Sequence, residues 1–123
     1  MWLGNQDRNL QLILEKRYVV VCEGPFDLLA LRVANPLVPS MSSLTKKMGE
    51  DHVDYLRLLG VRKVFLMYDN ESSEAGERSM KELQKIHEGT LDIVPLLCPA
   101  GDPSECLESL PRTKALRSIL EDL

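Results

Sequence analysis

The sequence predicts an α/β domain: a four-stranded parallel sheet in the order 2-1-3-4, with helices on both faces. Three observations predict it. Strand-like and helix-like segments alternate along the chain. The two strongest strand segments are continuous apolar runs, the mark of strands covered on both faces. Proline cannot donate to a ladder, and among the strand segments only the second and fourth contain one, at Pro39 and Pro95, which puts those two at the edges. With right-handed crossovers, the proline-free first and third strands then pair at the centre.

Each element has its own signal. Leu10, Ile13 and Leu14 recur at helical spacing, so Asp7–Lys16 reads as a short amphipathic helix. Tyr18-Val19-Val20-Val21-Cys22 is the first strand. Pro25 opens a helix through about Ala34, with Leu28, Leu29, Leu31 and Val33 as its apolar side. Residues 37–41 form the second strand. Thr45 caps a helix running to Leu59, with Val53, Leu56 and Leu59 inward, Gly49 weakening its first turn and Gly60 stopping it. Residues 63–68 are the third strand. A helix over 74–87 follows, with Met80, Leu83 and Ile86 at intervals of three and Gly89 closing it. Residues 91–97 are the fourth strand, Asp102 caps a short helix, and 114–123 form a last one.

A chain of 123 residues, 44% hydrophobic and 28% charged, suits one globular domain. The expected division is an N-terminal helix in 1–17, a core over 18–110 and a C-terminal helix in 111–123. No apolar run is long enough to span a bilayer and the first residues lack a signal-peptide pattern, so a cytoplasmic protein without a membrane partner is expected. Cys22, Cys98 and Cys106 form no C-x-x-C pair and suggest neither a zinc site nor a disulfide framework. Cys22 and Cys98 lie in apolar runs and read as small core residues.

The predicted strand order reverses between strands one and three, and ligands of open α/β sheets bind at that crevice, beyond the carboxyl ends of the strands. Strand one ends in Cys22-Glu23-Gly24-Pro25-Phe26-Asp27 and strand three in Tyr68-Asp69-Asn70-Glu71. The crevice is thus lined by carboxylates from both sides, the donor type that hard divalent cations such as magnesium require. Simpler roles exist for some of them. Asp27 falls in the first turn of a helix, where the dipole favours an acid. Asp102, with Pro103 and Glu105, reads as a capping box. Glu23 resists such a reading, because an acid directly after a buried strand is costly unless partnered.

Other candidates reduce to solvated surface. His52 and His87 have no i+4 partner and are expected on the surface. The basic pairs Lys46-Lys47 and Arg62-Lys63 read as exposed faces. Lys81 and Lys85 share one helix face and can form a stripe that contacts phosphate. No G-x-x-x-x-G-K-[ST] loop is present.

Four segments together resemble one family. Val19-Val20-Val21-Cys22-Glu23-Gly24-Pro25-Phe26-Asp27, followed by an apolar helix, looks like the first Toprim motif, E-G-x-x-D after a strand. Val64-Phe65-Leu66-Met67-Tyr68-Asp69-Asn70-Glu71, with Glu74-Ala75-Gly76, resembles the second, D-x-D-x-A-G in DnaG-type primases. Pro99-Ala100-Gly101-Asp102-Pro103 is similar to the primase-type P-x-G-x-D-P segment, and Val38-Pro39-Ser40-Met41-Ser42-Ser43 sits where those primases carry V-A-S-L-G-T. Glu71 replaces the usual second aspartate, Ser72-Ser73 form a two-residue insertion, Ser42 replaces a glycine, and Ser104 stands where many primases have an acid.

The resemblance implies a Toprim, Rossmann-like fold and magnesium chemistry, with manganese as a substitute. It implies Glu23 as general acid/base or metal-facing acid, Asp69 and Glu71 as metal ligands, and Asp27 and Asp102 as supports. The expected function is the catalytic Toprim domain of a DNA primase or primase–helicase, a nucleotidyltransferase module of DNA replication. It would act on single-stranded DNA and nucleotides through additional domains, with a helicase or other replication proteins as partners. A metal-dependent nuclease and a catalytically silent assembly module are the alternatives.

The net charge is −4, whereas phosphate neutralisation supplies most of the affinity of nucleic-acid binders. The chain alone is therefore expected to bind single-stranded DNA weakly. Titration of a labelled strand with and without magnesium tests this; tight, metal-independent binding would contradict it.

Overall fold

The computed structural model describes residues 7–45, 48–67, 81–82 and 84–123. Its four strands are β1 (Tyr18–Cys22), β2 (Ser40–Ser42), β3 (Lys63–Met67) and β4 (Asp92–Pro95). They form one parallel sheet in the order β2-β1-β3-β4, as the proline argument requires. Pro39 directly precedes one edge strand and Pro95 ends the other.

Alternate residues of the central strands feed two cores. Val19, Val21, Val64 and Leu66 pack against Ile13 of α1 (Asp7–Lys16) and Val53 and Leu56 of α3 (Glu50–Leu58). Val20, Cys22, Phe65 and Met67 pack against α2 (Pro25–Ala34), α4 (Pro103–Cys106) and α5 (Leu110–Glu121). A strand with both faces covered must be apolar at every position, which is why β1 reads as an unbroken run.

Five of the expected elements shift, each for a local reason. The second strand begins later because Asn35 holds a turn: its Oδ1 accepts from Leu37 N–H at 3.1 Å, and its carbonyl accepts from Val38 N–H at 3.3 Å. The fourth strand is shorter, since Asp92–Pro95 is all that pairs with β3 before a single further bond from Leu96 N–H to Leu66 O. Thr45 does not cap α3. It belongs to a turn in which its carbonyl accepts from Ser43 Oγ and the preceding Leu44 is left-handed at φ 61°. Gly49 is the N-cap instead, and His52 Nδ1 accepts its N–H at 2.9 Å. Helix α5 starts four residues early, because Ser109 caps it and Pro111 follows at the start, signals as plain as those used elsewhere.

The fifth shift is in α2, where Leu28, Ala30, Leu31 and Ala34 are buried while Leu29 and Val33 are exposed. A helix resting on a sheet buries one arc, and positions 29 and 33 lie on the other. The stops at Gly60 and Gly89 are as expected, with left-handed φ of 82° and 85°. The helix expected over 74–87 lies largely outside the described residues; 81–82 and 84–86 are helical. His87, expected on the surface, is buried, with Nε2 3.3 Å from a Glu50 carboxylate oxygen.

Each edge strand meets a side-chain amide. On β2, the N–H and C=O of Ser40 point away from β1. Buried Asn9 of α1 accepts that N–H at 2.9 Å and donates to that C=O. On β4, Gln84 Nε2 donates to Ile93 O at 2.7 Å. The Asn9 amide imitates one more strand residue and closes the edge. Asn9→Ala removes a donor and an acceptor from a buried backbone pair. It should therefore cost about 2 kcal/mol or more, read as a lower urea midpoint with an unchanged slope. A loss below about 0.5 kcal/mol, the range of ordinary surface substitutions, would show that water replaces the amide.

Candidate functional site

The carboxyl ends of three strands form one row. Cys22 is paired with Ser42 on one side and with Met67 on the other. Helix α2 leaves this row over one sheet face, and the chain after β2 leads to α3 on the other. Glu23, one residue past the row, sits in the gap between them and is half-buried. Its carbonyl accepts from Ser42 Oγ at 2.9 Å, and the same Oγ accepts from Leu44 N–H at 3.2 Å. Ser42, which stands where the resembled motif has glycine, thus ties the β2 loop to the backbone of Glu23. No hydrogen bond or ion pair occupies the Glu23 carboxylate among the described residues.

Asp27 and Asp102 are joined through α4. Asp27 is buried in the first turn of α2, and its Oδ1 accepts from Ser104 N–H at 3.2 Å. Burial pushes its carboxyl above the ordinary 3.8; the nearby charge of Asp102 adds to this, and the N–H bonds from Ser104 and Gly24 oppose it. Asp102 is the N-cap of α4, and its Oδ1 accepts from Glu105 N–H at 2.8 Å and from Ser104 Oγ at 2.7 Å. Glu105 reaches back to Gly101 N–H at 3.2 Å, so that a Cβ at Gly101 would lie 2.8 Å from its carboxylate. The capping box read from sequence is present, with its return bond one residue earlier than usual.

The fold therefore brings Glu23, Asp27 and Asp102 to one end of the sheet. Asp69 and Glu71 lie outside the described residues. Among the described residues no group of three or more histidine, cysteine or acidic side chains is assembled that could hold a metal. Lys81 and Lys85 lie elsewhere. Both are exposed and, with Arg62, line an open cleft of about 820 Å³ whose other charged residues are Glu88 and Asp92. That cleft is at the amino ends of β3 and β4, the opposite edge of the sheet from Glu23.

A parallel sheet that reverses order beside a strand-end glutamate defines a class: a Rossmann-like α/β domain with an acidic switch point. The family model described as Toprim-like matches residues 20–107, so the chain belongs to the Toprim-like family. No curated protein matches the chain by sequence. Among solved structures, the zinc-binding and RNA polymerase domains of the Aquifex aeolicus primase are similar. The TM-score is 0.68 at 23% identity, covering 93% of this chain and 28% of that one. The RNA polymerase domain of Mycobacterium tuberculosis primase DnaG is similar with a TM-score of 0.71 at 22% identity, covering 94% and 38%. The same domain in complex with double-stranded DNA gives a TM-score of 0.70 at 23% identity, covering 94% and 37%. The chain thus spans well under half the length of these structures.

The raised Asp27 carboxyl has a consequence for stability. The folded state holds this proton more tightly than the unfolded chain, so stability is greatest below pH 3.8 for this group and falls as pH rises through the higher folded value. Asp27→Asn keeps an oxygen for Ser104 N–H without the buried charge. It should match the parent below that window and melt higher above it. Equal melting temperatures at all pH values would show that the charge is compensated.

Proposed function

We propose that this chain is the catalytic Toprim domain of a primase or primase–helicase, supporting magnesium-dependent RNA primer synthesis on single-stranded DNA. The observation that carries the reading is Glu23. It stands at the carboxyl end of central strand β1, in the gap between α2 and the β2 loop, with its carboxylate taken up by no described residue. The family match and the primase neighbours support the same reading.

The donor set suits magnesium, since the groups at this end of the sheet are carboxylates and the nearest thiol, Cys22, donates inward to Met41 O at 3.5 Å. Asp69 and Glu71 would hold the cation with Glu23 facing it and Asp27 and Asp102 in support; manganese would substitute. When bound, magnesium would supply charge stabilisation to the attacking hydroxyl oxygen and the leaving phosphate oxygen. The chain's own part is proton handling and positioning. The Glu23 carboxylate takes the proton of the attacking hydroxyl, and the Ser42–Glu23 bond fixes the backbone that carries it. Template and nucleotides would be held by further domains, with Lys81, Lys85 and Arg62 as phosphate contacts away from the crevice, in a cytoplasmic replication assembly. Among the described residues no helix is long and apolar enough to cross a membrane.

Primer synthesis by the polypeptide carrying this domain tests the proposal. General acid–base catalysis contributes roughly 10²–10⁴-fold, so Glu23→Gln should lose about that much activity. The variant should stay folded and show a smaller rise in melting temperature with magnesium. Retained activity would reject Glu23. Magnesium-dependent strand cleavage without synthesis would point to the nuclease.

A further inference from the structure

Cys98 and Cys106 are separated by eight positions in sequence, yet their sulfurs are 3.5 Å apart, both buried. Cys98 lies on the stretch leaving β4, and Cys106 is the last residue of α4. Between them runs the Pro99–Asp102 turn, followed by the helix whose Ser104 N–H binds Asp27. We propose that Cys98 and Cys106 are a modification site: a reversible disulfide that staples the Asp102 turn to the segment leaving the sheet.

A disulfide needs its sulfurs about 2.05 Å apart, so closure requires a movement of about an ångström and a half. That is within reach of a four-residue helix held at its start by Asp102 and Glu105. Cys106 Sγ also contacts Asp102 O at 3.6 Å, a contact that closure would give up, while Cys22, in the same core, donates to Met41 O and Gly24 O. The step needs an oxidant, and a small dialkyl disulfide serves. One protein thiolate, its proton lost to water, attacks a sulfur of the reagent and expels one thiolate. The second protein thiolate then attacks the mixed disulfide and expels the other. The protein gives up two electrons and two hydrogens, and the reagent becomes two thiols.

Burial, which pushes the Cys98 thiol up to about 12, makes the reduced pair slow to react. The bond is thus expected to form slowly, and faster as pH rises, in keeping with a structural staple more than a rapid sensor.

The test is to incubate the chain with glutathione disulfide at mildly alkaline pH, with and without urea below its unfolding transition, and to map the thiols by non-reducing digestion. The expected product is an internal 98–106 link two hydrogens lighter than the parent, with Cys22 still open to alkylation. It should melt higher, because the link confines the unfolded chain, and reducing agent should reverse the shift. Cys98→Ser and Cys106→Ala should each abolish the link and the shift. Three outcomes overturn the proposal: a link through Cys22, glutathione adducts that never close, or a closed link that lowers the melting temperature. If Cys98 and Cys106 remain fully alkylatable even after exposure in urea, the proposal falls as well.

Discussion

The five-residue register of β1 against β3, from Tyr18 beside Lys63 to Cys22 beside Met67, is the constraint on which the rest depends. It makes both central strands end at one edge. Right-handed connections then carry α2 over one face and α3 over the other, leaving the strand ends uncovered between them. Glu23 belongs in that gap. An acid directly after four fully buried residues would be costly anywhere else on the sheet. Half-exposed here, it keeps contact with water.

A sheet of four short strands has two open edges, and edges recruit other strands. Here Asn9 from the first helix and Gln84 from the helix before β4 reach the outward backbone groups of Ser40 and Ile93. Asn9 is wholly buried. It therefore fixes α1 to the edge of β2 by polar geometry, while Ile13, one turn further on, supplies the apolar contact. Neither contact alone specifies both the position and the rotation of so short a helix.

Much of this was legible in the chain itself. Strand order followed from two prolines, because a missing N–H is a strict geometric fact. The glycine stops followed from backbone sterics. Less legible were boundaries set by side chains acting locally, such as the Asn35 turn that delays β2 and the turn at Leu44 that moves the cap of α3 to Gly49. The burial of His87 was hidden for another reason: the Glu50 carboxylate beside it belongs to α3, 37 positions away, and no sequence spacing encodes that meeting. At the site, the position of Glu23 followed from topology. The link from Asp27 to Ser104 crosses 77 positions and has no local signature.

That link separates the environments of the two carboxylates. Asp102 does what aspartate does best at an N-cap, with an oxygen on the third N–H of the helix and solvent nearby. Asp27 makes one backbone bond that a neutral asparagine would also make, and it does so buried, close to a like charge, with its carboxyl pushed up. A fold selecting only for the α2–α4 contact has no use for that charge, and the burial and like charge that raise the carboxyl cost the folded state stability. A carboxylate accepts at about four lone-pair sites, and Ser104 N–H and the turn N–H groups leave some of them available. The α2–α4 contact therefore accounts for the place of the Asp27 side chain and not for its charge, whereas the capping bonds of Asp102 account for both.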